Sequence, residues 1–316
     1  MREILTFGRY YKKKLGKRVK KIPLAISGFT CPNIDGTVAK GGCTFCENES
    51  FSPNLEKANK KFFLNPNSKT NPILNKQLKE VEFQYIATKR RYQSLGYEKF
   101  LAYFQAFTNT YAPFDTLKAL YKKALSLEDC IGLSIGTRSD SVNEEILDYL
   151  KELDSKYEVW IEYGIQSIFD KTLQKINRGH DSKTNEYWIK KSKDKGLKVC
   201  GHIIFGLPDE TQEMMLETLK KSIEWGIDSI KIHPLYVVKN TALAIEYRKK
   251  RFKPISKQDY IDTLLKAFKI LPKNVVVQRI TAGIDNQTLF APSWCKDKNR
   301  LISEIRKALR KEGMIY

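Results

Sequence analysis

No apolar run in the sequence approaches the ~20 residues that cross a hydrocarbon core, which argues against a membrane-spanning protein. The apolar piece nearest the basic N-terminus, Ile22 to Ile26, is too short for the core of a secretory signal. A soluble cytoplasmic protein with no membrane partner is expected. Disordered and low-complexity bulk are also missing, since 41% of residues are apolar and 11% aromatic, the content of a globular chain. A length of 316 residues can bury one large α/β core or two smaller ones. Acid is in short supply: 36 Asp and Glu face 56 Lys and Arg, for a net charge of +20. The densest basic run, KKKLGKRVKK at 12–21, holds seven basic positions in ten. Lysine is used freely throughout, and such a run is often only a solvated face. Uncompensated as it is, it also fits a polyanionic partner, with RNA ahead of membrane because no amphipathic anchor accompanies it.

Cysteine is sparse too, six in all, yet three are gathered in CPNIDGTVAKGGCTFC, residues 31–46. Eleven residues separate Cys31 from Cys43 and two separate Cys43 from Cys46. Where thiols stay reduced, clustered cysteines point to metal or catalysis rather than disulfides. What the cluster lacks is a fourth ligand, because no further cysteine or histidine lies close by. Zinc would need one from elsewhere in the fold, such as Cys295 or a histidine. A [4Fe–4S] cluster on three thiolates would leave one iron open to a small molecule. Cys130 and Cys200 stand in apolar strand-like runs and read as buried, inert thiols.

Short apolar runs at Ile22–Ser27, Phe100–Ala106, Ile131–Ile135, Glu158–Ile165, Lys198–Phe205 and Ser229–Leu235 read as strands. Helical stripes lie between them, among them Leu74–Leu78–Val81–Tyr85 and the stretches 182–195 and 211–225. Strands alternating with helices argue for parallel βαβ units, with the site at the C-terminal strand ends. The polar stretch Glu56–Asn71 reads as a surface excursion within the first crossover. After residue 236 come a basic segment, a helix at 256–270, a strand at 275–280 and a last helix. The chain is therefore divided into a core, 1–236, and a C-terminal extension packed on it, 237–316. Periodicity alone does not separate an open sheet from a partial barrel.

Further stretches join the cysteine loop: YFQAFTNTYAP, LSIGTRSDS, EYGIQS, INRGHD, IIFGLPDET, KIHPLYVVKNT and APSWC. Together they resemble the strand-end motifs of radical S-adenosylmethionine (SAM) proteins of the YhcC/YtqA (MnmL) type. The core of that type is similar to those of the Elongator catalytic subunit and the coproporphyrinogen oxidases. The resemblance implies an α/β fold, a partial (β/α)6 TIM-type barrel with a C-terminal α/β extension. It implies Cys31, Cys43 and Cys46 as ligands of a [4Fe–4S] cluster, with SAM as the second cofactor. Gln166 and Arg178 match contacts to the SAM ribose and carboxylate. The glycine-rich motif that usually holds the SAM amino group is missing, so Gln105, Thr108 and Asn109 stand in as candidates. Gly206 would let backbone approach the adenine, and His202 occupies a position where coproporphyrinogen oxidases carry an acid. His233 and Cys295 are the candidates for a catalytic group, each weighed against a merely structural role, as is His180.

The same resemblance implies a tRNA partner, an electron donor such as flavodoxin or ferredoxin, and a downstream tRNA methylase. The expected reaction remodels 5-carboxymethylaminomethyl-2-thiouridine toward the aminomethyl form. The sequence ends at residue 316 without room for the acetyltransferase domain of Elongator, so acetyl-CoA chemistry is not expected. A radical SAM enzyme with a small-molecule substrate, and a non-catalytic metal-bearing RNA-binding protein, are the alternatives.

Overall fold

The computed structural model describes residues 1–52, 63–284 and 287–316. Seven strands form one all-parallel sheet: β1 (Val19–Leu24), β2 (Lys99–Phe104), β3 (Cys130–Thr137), β4 (Glu158–Gln166), β5 (Lys198–Phe205), β6 (Ser229–Pro234) and β7 (Val276–Arg279). Their order in the sheet is their order in the chain. Parallel neighbours need a crossover of a dozen residues or more, and here helices supply it. Chief among them are α2 (Leu74–Gln93), α3 (Phe114–Leu125), α4 (Glu144–Asp154), α5 (Ser182–Asp194), α6 (Gln212–Glu224) and α7 (Lys257–Ile270). The sheet curls into a half-barrel with helices outside, the α/β architecture expected from the motifs. Six strands arise as the βα alternation anticipates, and the seventh, β7, is contributed by the chain beyond residue 236.

Alternation along each strand divides the residues between two environments. Ile22, Leu24, Phe100, Ala102, Phe104, Ile161, Tyr163, Val199 and Ile203 are buried against the helices in the main core. Their neighbours in sequence face the inside of the half-barrel. Helix α8 (Lys298–Lys311) buries Leu301, Ile305 and Leu309, a stripe at i, i+4 spacing. The termini meet where Arg2–Glu3 pairs in parallel with Met314–Ile315. On the free side of β7, the Val277 amide donates to the Leu5 carbonyl at 2.8 Å.

The basic run departs in part from the sequence reading. The basic run 12–21 is neither loop nor uniform surface, since it closes a helix, Phe7–Leu15, and opens β1 at Val19. Within it Lys12 donates to the Gly16 carbonyl, Lys14 pairs with Glu158, and Lys17 pairs with Glu98 at 2.7 Å. Arg18 lies over the Tyr97 ring at 4.5 Å. Lys21 points into the half-barrel, where a carboxylate awaits it. Of the excursion expected at Glu56–Asn71, residues 56–62 lie outside the described residues, and Leu64 beyond them is buried in the core.

Candidate active site

The cysteine loop follows β1 and lies across the C-terminal mouth of the half-barrel. Its shape is set by its own backbone: Ile34 and Asp35 donate to the Cys31 carbonyl, Gly42 to that of Asn33, and Cys46 to that of Cys43. Two asparagines clamp it to the turn after β4. Asn33 donates to the Asn177 carbonyl at 2.5 Å, and Asn177 donates back to Gly42 at 2.8 Å and Lys40 at 3.1 Å. Gly179 completes the joint. Its φ of +80° is left-handed, and a Cβ there would lie 2.4 Å from Asn33 Oδ1 and 2.8 Å from Val38.

Cys31, Cys43 and Cys46 all line one cavity of about 270 Å³. Three thiolates on a single zinc, each bonded at ~2.3 Å in a tetrahedron, would sit roughly 3.8 Å apart. Among the described residues, the one trio of His, Cys, Asp or Glu whose ligand atoms fall within 4.8 Å of one another is Glu162, Cys200 and His202. The cysteine trio is thus spread wider than one ion requires, a spacing that a polynuclear cluster fits.

Two arginines back the cysteines. Arg178 donates through Nη2 to the Gly164 carbonyl at 2.6 Å and approaches Cys43 Sγ through Nη1 at 3.7 Å. Arg138 holds Asp140 in a bidentate pair at 2.7 and 2.6 Å and also reaches the Arg178 carbonyl at 2.8 Å. Each keeps one buried N–H, Nε of Arg178 and Nη1 of Arg138, with no protein partner. A buried donor without an acceptor is costly, and both residues line the cavity. The pair therefore suits an anionic group such as a carboxylate. Gln166, at φ +66°, approaches from the other side; a Cβ on Gly164 would meet Gln166 Nε2 at 2.7 Å and Arg178 Nη2 at 3.0 Å. Soft thiolates beside converging guanidinium and amide groups match what a cluster and an amino-acid-bearing cofactor each need.

Beneath this mouth lies a feature the sequence reading did not identify. One residue from every strand of the half-barrel joins a single polar network around Glu162 of β4. Lys21 (β1) and Lys231 (β6) both pair with the carboxylate, and Ser134 (β3) donates to it. His202 (β5) meets it at 2.7 Å through Nε2, Tyr103 (β2) accepts from Lys231 at 3.0 Å, and Gln278 (β7) accepts from Lys21. Glu162 is fully buried. Burial opposes its charge, but Lys21, Lys231 and then His202 outweigh that and hold the carboxyl well below the usual range. Two ammonium groups share one carboxylate, so desolvation, with Lys231 adjacent, takes Lys21 down to about 8 despite Glu162. Burial and Lys231 lower His202 to about 4, leaving it neutral near pH 7. These lysines also exclude a cation from the Glu162–Cys200–His202 trio.

The other expected residues are distributed unevenly. Gln105, Thr108, Gln166, Arg178, His202 and His233 line the cavity with the cysteines. His202 and His233 stand with ring centroids 6.4 Å apart, and burial pushes His233 well down. Asn109 is buried outside the lining, where it donates to the Gly136 carbonyl at 2.9 Å. Gly206 is outside it too: a Cβ would lie 2.7 Å from Ile255, and its amide meets Met215 Sδ at 3.0 Å. Cys295 is buried with Tyr236, Val238, Ala282 and Leu289, and burial pushes its thiol up. His180 lies behind the wall on Ser139, with Nδ1 and Oγ 2.9 Å apart. Arg138 and Glu162 were not singled out from their motifs, LSIGTRSDS and EYGIQS. A lone charge in an apolar strand run was the available signal.

Comparison with known proteins places this geometry. The model described as "Radical SAM superfamily" matches residues 36–222, and "Radical_SAM C-terminal domain" matches 227–311. Protein YhcC of Escherichia coli (strain K12) is 37% identical over 98% of this chain and 93% of its own length. YtqA of Bacillus subtilis (strain 168) is 33% identical over 98% of this chain and 90% of its own. A tRNA uridine(34) acetyltransferase of Methanocaldococcus infernus is 30% identical over 49% of this chain and 29% of its own. The structure of Methanocaldococcus infernus Elp3 with an N-terminal deletion superposes with a TM-score of 0.63 at 19% identity, over 93% of this chain and 63% of that one.

Proposed function

The chain belongs to the radical SAM superfamily, and we propose that it modifies uridine at the wobble position of tRNA. Its cofactors are SAM and a [4Fe–4S] cluster. When both are bound, they would supply, at the expense of one electron from an external donor, a 5′-deoxyadenosyl radical able to take hydrogen from the substrate. The protein's part is binding, orientation and exclusion of water. In this reading Cys31, Cys43 and Cys46 ligate the cluster. Arg178 Nε and Arg138 Nη1, the two buried donors without partners, take the carboxylate of SAM. Gln166, converging on Gly164, reaches the ribose hydroxyls. The network around Glu162 forms a rigid polar floor that closes the half-barrel below the reacting atoms.

One observation carries the enzymatic reading: three widely set thiols share a cavity with two arginine donors at the C-terminal mouth of a parallel half-barrel. Anaerobic reconstitution tests it, with iron expected at about four per chain and reductant-dependent SAM cleavage. A triple Cys31→Ala, Cys43→Ala, Cys46→Ala variant that kept the chromophore would overturn the ligand assignment.

The tRNA reading rests on the uridine(34)-modifying relative and on the net charge of +20. The reaction it favours breaks the bond between the amine nitrogen and the carboxymethyl carbon of 5-carboxymethylaminomethyl-2-thiouridine, so that the carboxymethyl group leaves, the nitrogen stays and the aminomethyl form results, a substrate for a methylase. Nucleoside analysis of tRNA from a strain lacking the gene is the test. The carboxymethylaminomethyl nucleoside should accumulate, and unchanged wobble uridines would refute the substrate while leaving the radical chemistry standing.

A further inference from the structure

A second cavity, of about 310 Å³, opens on the side of the half-barrel where β1 and β7 form the two edges of the sheet. Lys20 of β1, Arg279 of β7 and Lys298 of α8 line it together with Lys21 and Lys231, and no Asp or Glu does. Lys21 and Lys231 are held by Glu162. Among the described residues Lys20, Arg279 and Lys298 have no carboxylate partner, whereas Lys89, Arg138 and Lys231 each pair with one. Lys20 lies over the rings of Tyr92 and Tyr97, at 5.5 and 5.0 Å, which orients it without neutralising it. The nearest acid in sequence, Asp297, caps α8 by accepting from the Arg300 amide at 2.9 Å. Desolvation of its ammonium, and after it the charges of Arg279 and Lys20, hold Lys298 below the usual lysine range. Tyr103, Gln105 and Arg279 are common walls of this cavity and of the one beneath the cysteines.

We propose that Lys20, Arg279 and Lys298 form an oxyanion-binding site that receives a negatively charged group of the substrate at the side entrance to the reaction chamber. Three mutually repelling cations gain most from an oxygen anion, and a guanidinium offers the fork that phosphate and carboxylate both fit. The site deepens the reading of an RNA uridine substrate and depends on it only for the identity of the anion's source. That source is either a backbone phosphate beside the target nucleotide or a carboxylate on its side chain.

Inorganic phosphate tests the site without RNA. In the reconstituted holoenzyme, acylation of lysines by an amine reagent is mapped by mass spectrometry, with and without phosphate at matched ionic strength. Phosphate should slow labelling of Lys20 and Lys298 about fivefold or more while leaving exposed Lys13 unaffected, and Arg279→Gln should abolish the protection while Arg279→Lys restores part of it. Unchanged labelling of Lys20 and Lys298 would overturn the site. The source is read from binding of two anticodon stem-loops, with and without the carboxymethylaminomethyl group. Loss of about tenfold in Arg279→Gln and Lys298→Gln for both loops assigns the phosphate; loss confined to the modified loop assigns the carboxylate. Variants that bind both loops as tightly as wild type does would again refute the proposal. Phosphate protection in a wild-type protein that binds neither loop would uphold the site and remove the RNA reading instead.

Discussion

Replacing Glu162 by Gln should be among the most damaging single changes in the half-barrel, and the reason is a matter of counting charges. The carboxylate is fully buried and is the common partner of Lys21, Lys231 and His202. Gln keeps the shape and some hydrogen bonds but leaves two ammonium groups without a counter-ion. Breaking a buried ion pair by removing one partner costs about 3–5 kcal/mol. At about 2.1 cal/mol/K of unfolding entropy per residue, a chain of 316 residues shifts its Tm by about 1.5 °C per kcal/mol. Glu162→Gln should therefore melt about 5–7 °C below wild type, read by circular dichroism at pH 7.5 on the cluster-free protein to keep metal loss out of the measurement. Lys231→Met makes the contrast, because it leaves one ammonium facing one carboxylate, a matched pair. Its loss should be less than half as large, and the double variant should recover part of the Glu162→Gln deficit. Glu98→Gln, at the exposed pair with Lys17, should not measurably change Tm. A Glu162→Gln melt within 1 °C of wild type, or a Lys231→Met melt lower than it, would refute a shared and limiting carboxylate.

Arg178→Lys should retain the cluster yet weaken SAM binding by about tenfold or more, since an ammonium cannot reproduce the fork that leaves Nε free while Nη2 holds Gly164; equilibrium dialysis of the reconstituted protein measures it, and unaltered affinity would clear Arg178 of contact with SAM. Gly179→Ala puts a Cβ 2.4 Å from Asn33 Oδ1 at a left-handed φ, so iron incorporation should fall more than Tm does; full iron loading would show that the loop is not seated by this joint. Stability should also decline as pH falls from about 6.5 toward 4. His202 has its pKa lowered from 6.5 to about 4 in the fold, so the unfolded chain binds the extra proton throughout that window. His202→Gln should make this part of the profile less steep in urea titrations, with buried His180 and His233 supplying the slope that remains, and leave the further loss below 4.5, where carboxylates of the unfolded chain protonate.

The parts of this protein that were legible in its sequence are those with local signatures. β5 and β6 read as short strands because they are rich in β-branched residues and are bounded by glycine and proline. The cysteine loop stood out by its spacing, while Arg178 and Gln166, which line the same cavity, entered only through the motif resemblance. β1 was displaced by three residues because KRVKK looks like surface, although Lys21 alternates inward to meet Glu162. No rule of periodicity distinguishes a lysine that faces water from one that faces a carboxylate three strands along the chain. β7 read as a strand, yet its partner β6 lies some forty residues earlier, and only the fold could add it to the barrel. The network around Glu162 is the extreme case. Its seven members come one from each strand, and in sequence most are polar residues among apolar ones, the pattern usually produced by a partly solvated face. What marks them jointly is sign: the strands with inward lysines, β1 and β6, stand on either side of the one with the inward glutamate, β4. Lys20, Arg279 and Lys298 extend that logic to the side entrance, with the difference that among the described residues no Asp or Glu lines it.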